Sequence, residues 1–114
     1  ALRKLPNIVG VEAEKCSPLY KAMKTGKLRY EEPKTAADAI AVGYPTFGMQ
    51  AIGLLKKFGG YITTVGDTEM KREQELFYEK YGLVAELAGV ASIAAYKKTR
   101  PKGKSIAIIS GGNI

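Results

Sequence analysis

Residues Gly59 to Met70 read GGYITTVGDTEM. Tyr61 to Val65 (YITTV) is a β-branched and aromatic run between a glycine pair and Gly66-Asp67, which predicts a buried strand. Asp67 or Thr68 then stands where a helix cap belongs. Beyond it the period lengthens to that of a helix, with Met70, Phe77, Tyr78 and Tyr81 predicted to point inward and Gly82 as the stop. A strand running straight into an amphipathic helix is half of an α/β unit.

The same alternation extends in both directions. Upstream, Asn7 to Glu12 (NIVGVE) is a second β-branched run, opened by Pro6. Ser17-Pro18 has the form of an N-cap followed by a first-turn proline, with Leu19, Ala22 and Met23 on one helical face and Gly26 as the stop. Lys27 to Thr35 is charged, contains Pro33 and shows no period, so it is expected to be a surface connection. After Pro45, Thr46 is positioned to cap a helix whose residues Phe47, Ala51, Leu54, Leu55 and Phe58 form one apolar stripe. Downstream, Ala85 to Lys98 places Ala88, Ala91, Ala94 and Ala95 at helical spacing, small residues suited to close packing. Ser105 to Ile109 (SIAII) reads as a third strand and leads into Ser110-Gly111-Gly112-Asn113.

Strands separated by amphipathic helices imply a single α/β domain over residues 1–114, with a mostly parallel sheet of about three strands flanked by helices. Three strands make a thin sheet, and a run apolar on both faces, such as IAII, needs neighbours on both sides. The expectation is therefore a piece of a larger sheet, consistent with the absence of an initiating methionine.

Composition narrows the chemistry. Hydrophobic residues form 46% and charged residues 25% of the chain, values of a folded globular protein and not of a disordered one. There is no histidine, which removes Ser-His-Asp and Cys-His catalysis and the commonest transition-metal ligand. Cys16 is the single cysteine, so no internal disulfide or four-cysteine zinc site is available. No signal-peptide pattern opens the chain, and the longest weakly polar run, Leu83 to Tyr96, is shorter than a span and carries Glu86. A cytoplasmic protein without a membrane segment is expected. The net charge of +7 favours phosphate-bearing partners in principle. Lys97, Lys98, Arg100, Lys102 and Lys104, however, follow the end of a helix, where cations complement the helix dipole. With no recognition helix or interleaved aromatics, nucleic acid is not expected as a partner.

Two motif readings fail on spacing. Gly103-Lys104-Ser105 would need a glycine where Lys98 stands to end a P-loop, and a strand before it rather than after. Ser110 has Ile108 at the preceding glycine position of a nucleophile elbow, and no histidine base. Ser110-Gly111-Gly112-Asn113 remains the leading site candidate, a hydroxyl at the mouth of a strand followed by two glycines that permit close backbone approach to a ligand. A tight turn is the equal alternative. Glu86, inside LVAELAGVASIAA, requires a hydrogen-bond partner if its helix is buried, or else serves as a first-turn carboxylate. Asp38, inside AADAIAV, is equally well a helix cap.

Taken in order, VGVEAE (Val9 to Glu14), TAADAIAVGYP (Thr35 to Pro45), GGYITTVGDTEM, AELAGVASIAA (Ala85 to Ala95) and SGGN (Ser110 to Asn113) resemble the second half of a fold type II pyridoxal-phosphate enzyme of the threonine dehydratase and threonine synthase group. The likeness covers nearly the whole chain. It implies pyridoxal phosphate as the cofactor, with Ser110 at its pyridine nitrogen. It further implies that Gly111, Gly112 and Asn113 line the same edge, that the Ala39 backbone lies near the ring, and that Glu86 is a polar neighbour of the pocket. A neutral hydroxyl at that nitrogen suits elimination of water and ammonia from threonine or serine. SGGN and TAADAIAV lie closer to the dehydratases, Gly43-Tyr44-Pro45 and the stretch from Gly59 closer to the synthases, which act on a phosphorylated homoserine. Some dehydratases hold a divalent cation on a glutamate and an aspartate six residues later; Glu12 matches the first, but Pro18 replaces the second, so no metal is assigned.

The family's cofactor-bearing lysine and its glycine-rich phosphate loop match nothing here. No catalytic residue is assigned to this chain, which is expected to be inactive alone and not to hold the cofactor alone. Its expected partners are an amino-acid substrate in the intact enzyme, together with a second copy or an amino-terminal part. A non-catalytic α/β binding module is the alternative from another class.

Overall fold

A computed structural model describes residues 4–112. Along the chain come β1 (Val9–Ala13), α1 (Pro18–Thr25), a 3-10 turn (Asp38–Ile40), α2 (Gly48–Lys57), β2 (Tyr61–Val65), α3 (Asp67–Tyr81), a second 3-10 turn (Ala88–Val90) and α4 (Ala91–Thr99). β1 and β2 pair in parallel, with Val9 opposite Tyr61 and Ala13 opposite Val65. Parallel strands need a long crossover, supplied here by α1 and α2.

Alternation along β2 divides the interior. Ile62 faces a small core with Ala22 and Ile52, bordered by Leu19, Met23 and Leu55 of α1 and α2. Val65 faces the larger core of Ala13, Ala37, Met70, Ala85, Val90, Ala91, Ala94 and Ala95. The two-stranded sheet is thus covered on both faces, the architecture expected of an α/β layer. The alanines act as anticipated: with no bulk beyond Cβ, α4 sits close on both strands.

α1 runs as the sequence reading has it, from Pro18 to a stop at Gly26, whose φ of 80° is the left-handed conformation glycine adopts without strain. Other details differ. Ser17, though at the capping position, makes no side-chain cap. Phe47 rather than Thr46 precedes α2, and the face of α2 that is buried carries Gly48 and Ile52. A Cβ on Gly48 would lie 2.6 Å from Leu19 and 3.0 Å from Leu28, so this glycine lets α2 settle on that side. The stripe expected in the core is split: Leu55 borders the small core and Ala51 is half-buried, whereas Phe47 is 73% and Leu54 59% exposed. Gly66, not Asp67 or Thr68, caps α3; its N–H donates to Glu69 Oε1 at 2.9 Å. Met70 is fully buried and Phe77 packs on the core, but Tyr78 and Tyr81 are exposed. Regular helix begins only at Ala91, after the second 3-10 turn, not at Ala85.

The third strand does not form. Ser105 to Ile109 joins no ladder among the described residues, leaving Ile106 93% and Ile108 73% exposed. The run keeps its intrinsic strand preference, but it lies along α4 rather than at either open edge of the β1-β2 pair. It is pinned instead by the Ser92 hydroxyl, which donates to the Ile108 carbonyl at 2.7 Å. Two of the basic residues, both in the last turn of α4, are tied into the fold. Lys97 pairs at 2.8 Å with Glu73, a buried carboxylate, and the Lys98 ammonium donates to the Thr64 carbonyl at 2.6 Å. Among the described residues, no helix is long and apolar enough to cross a membrane.

Candidate functional site

The last described segment is anchored by its own backbone. The Glu86 N–H donates to the Gly111 carbonyl at 3.0 Å, and Ile109 packs on the core beside Leu87 and Ala88. This lays Ser110-Gly111-Gly112 along residues 84–89. The approach is close: a Cβ on Gly112 would lie 2.8 Å from the Val84 carbonyl oxygen, a backbone atom, and one on Gly111 would push aside the end of the Glu86 side chain. From the other side, a Cβ on Gly89 would lie 2.6 Å from the Gly111 carbonyl oxygen. Three glycines therefore make one tight backbone seam. The sequence reading assigned Gly111 and Gly112 to a ligand's close approach; their Cβ directions are taken up by protein.

Ser110 is exposed at the start of this seam, and among the described residues its hydroxyl has no hydrogen-bond partner. Glu86 is half-buried beneath it. Asn113 lies outside the described residues. Ala39 is exposed in the first 3-10 turn, which packs against the second. Ile40 enters the same core as Leu87, Ala88 and Ile109. The second 3-10 turn is thus the hub that gathers Ala39's turn, Glu86 and the Ser110–Gly112 seam. Asp38 opens its 3-10 turn, with Ala37 in the capping position.

The turn bearing Ala39 has an anchor that no local pattern announces. Asp67, the first residue of α3, accepts from the Thr35 hydroxyl and, at 2.7 Å, from the Ala36 N–H. Thr35 Oγ1 in turn accepts from the Ala37 N–H at 3.1 Å. Burial works to raise the Asp67 carboxyl, yet these hydrogen bonds, with Lys15 and Lys71 nearby, hold it below its ordinary value.

Glu12, which in the sequence matches only the first of the two cation ligands of some dehydratases, is engaged elsewhere. Its carboxylate caps α1, accepting from the Tyr20 N–H at 2.7 Å and the Leu19 N–H at 3.2 Å. Burial pushes its carboxyl up, against the lowering effect of those two donors, and Glu31 adds to the rise. Glu31 accepts from the Ser17 N–H at 3.0 Å and pairs with Lys21. Two carboxylates from outside the helix thus do what Ser17 was expected to do. Among the described residues no three metal-ligating side chains cluster.

An open trough of about 470 Å³ runs between α3, α4 and the unpaired run, lined by Leu76, Phe77, Ile93, Ala107 and Ile109 among others. Ser110, Gly111, Gly112, Ala39 and Glu86 are not among its lining residues. Among the described residues the seam offers a neutral hydroxyl and bare backbone, with Ala39's turn packed on the same 3-10 turn. That donor set suits a heteroaromatic ring edge; for a reactive carbonyl or a phosphate group, the match to the family assigns no residue here.

Comparison with known proteins agrees with this outline. A family model described as pyridoxal-phosphate dependent enzyme matches residues 1–112. Threonine synthase of Methanocaldococcus jannaschii is 34% identical over 103 residues, 88% of this chain and 25% of that protein. L-threonine ammonia-lyase of Thermotoga maritima is 36% identical over 110 residues, 94% of this chain and 27% of that protein. The chain spans about a quarter to a third of the length of the curated relatives it matches. Among solved structures, a T.th. threonine deaminase superimposes with a TM-score of 0.79 at 23% identity, over 93% of this chain and 35% of that one. Maize serine racemase gives 0.80 at 20% identity, over 95% and 35%. These two share its fold.

Proposed function

The chain belongs to the pyridoxal-phosphate-dependent enzymes, and from that premise we propose that it forms the ring-edge wall of the cofactor pocket in a lyase acting on threonine or serine. The observation that carries this reading is the gathering of Ser110–Gly112, Glu86 and Ala39's turn about one 3-10 turn. When bound, pyridoxal phosphate supplies an electron sink for the bonds at a substrate's α-carbon. The role given to this chain is to hold and tune that group, not to move the α-proton.

Ser110 would meet the pyridine nitrogen with its hydroxyl. A neutral partner there leaves the nitrogen largely unprotonated and tempers electron withdrawal, which favours loss of a β-hydroxyl over transamination. Gly111, Gly112 and Asn113 would continue the same edge. Glu86 would fix the seam from below through its N–H, while the backbone of Ala39 would border the ring from the opposite turn. The proton-moving lysine matches none of this chain's residues.

Threonine synthase is the second reading, favoured by the 34% identity to that of Methanocaldococcus jannaschii and by Gly43-Tyr44-Pro45. The test is to combine the chain with the polypeptide that carries the lysine and offer both substrates with the cofactor. Release of ammonia and a 2-oxo acid from threonine is expected, and Ser110→Ala should lower kcat with the cofactor still bound. Phosphate release from O-phosphohomoserine alone would assign the synthase. Activity indifferent to Ser110 would remove the ring-edge role.

A further inference from the structure

We propose that Asp67 is a positioning residue for the cofactor pocket, clasping the turn that carries Ala39 through Thr35 and Ala36, which lie 32 and 31 positions away in sequence. This rests on the reading that the Ala39 backbone borders the ring, and it adds what holds that border in place.

The argument is geometric. Ile40 ties the far end of the turn to the larger core, but the segment leading into it has one buried side chain, Ala37, too small to fix that end by packing alone. Both oxygens of Asp67 are used on this segment, one on a side chain and one on the backbone. The Thr35 hydroxyl extends the chain of bonds to the Ala37 N–H, so three consecutive residues are held in register with the start of α3. Lys34 adds a backbone bond from its N–H to the Lys15 carbonyl at 3.1 Å, just beyond the end of β1. α3 itself is rooted in the core by Met70, three residues after Asp67. The clasp therefore refers Ala39's turn to the rigid core rather than to the loop around it. An ionised acceptor makes such bonds stronger than neutral ones, and the N-terminal position on α3 favours the negative charge. Helix capping cannot account for this contact, since Gly66 holds the cap and Glu69 satisfies its N–H.

The test separates the clasp from a merely helix-stabilising charge. Thr35→Val removes the hydroxyl but leaves the carboxylate at the head of α3, whereas Asp67→Ala removes both contributions. Amide hydrogen exchange on the 114-residue chain should rise about tenfold or more at Ala36 and Ala37 in Thr35→Val, with α3 unchanged. Asp67→Ala should give the same loop effect, and the double variant no more than Asp67→Ala alone. Unchanged loop exchange in both single variants would overturn the proposal. In the protein combined with its lysine-bearing polypeptide, adding pyridoxal phosphate should shift the Ala39 amide resonance, and Thr35→Val should weaken cofactor affinity. A loosened loop with wild-type affinity would also overturn the positioning role. A clasp that behaves as described while the Ala39 resonance ignores the cofactor would instead sink the site reading on which it rests.

Discussion

Gly89 offers a sharp perturbation of the seam. A methyl group added there would lie 2.6 Å from the Gly111 carbonyl oxygen and 3.2 Å from its nitrogen, both backbone atoms. Ordinary contact begins near 3.4 Å, so the Gly111 backbone must retreat by about 0.8 Å, there being no flexible side chain to swing aside. That retreat carries the Glu86 N–H to Gly111 carbonyl distance from 3.0 Å toward about 3.8 Å, past the limit of a hydrogen bond. Overpacking of this kind costs about 1–3 kcal/mol, and the lost bond adds about 1 kcal/mol. Gly89→Ala should therefore lower the urea midpoint, and exchange at the Glu86 amide should accelerate. Gly53→Ala is the control, because nothing lies within 4 Å of its Cβ position in α2; it should be neutral or stabilise by up to about 1 kcal/mol. A displacement of about 0.8 Å also exceeds the roughly 0.5 Å tolerance of a functional contact, so Ser110 would be carried out of place. Wild-type stability in Gly89→Ala, with the Glu86 amide still protected, would refute the packing of Ser110–Gly112 on the second 3-10 turn.

Acid sensitivity should have a definite sign. Asp67 and Glu31 both sit below their ordinary carboxyl values when folded, so their contribution is fully present above the unfolded carboxyl range and is lost as pH falls through the folded values. Glu12 is raised, so its contribution runs the other way, growing as pH falls from the folded toward the unfolded value. Urea midpoints measured from about pH 2 to 6 should accordingly fall toward acid, and less steeply in Asp67→Asn than in wild type. Met70 is fully buried in the larger core; Met70→Ala should cost about 2–5 kcal/mol by denaturant titration.

The parts legible in the sequence are those set by neighbours along the chain. β2 follows from five β-branched or aromatic residues between glycines, and α1 from Pro18 at its start and Gly26 at its stop. The side of α2 that is buried was not legible, because periodicity shows which residues share a face but not which face meets a neighbour. Gly48 decided that by admitting Leu19 and Leu28. The SIAII run shows the complementary limit: its strand preference is intrinsic, but pairing is a property of the partner. At the site, the order of motifs nominated Ser110, Glu86 and Ala39, which remain proposals, yet the glycines' packing against Val84 and Glu86 was invisible. So were the caps that Glu12 lends to α1 and the clasp of Asp67 on Thr35, since both join residues that no local window contains.

The contact proposed here between Ser110 and the ring nitrogen is open to spectroscopy. In the protein combined with its lysine-bearing polypeptide and loaded with cofactor isotopically labelled at the pyridine nitrogen, the wild-type nitrogen resonance should lie at the unprotonated position. Ser110→Asp, which places a carboxylate there, should move it to the protonated position. An identical resonance in both proteins would show that Ser110 does not touch the nitrogen and would contradict the account.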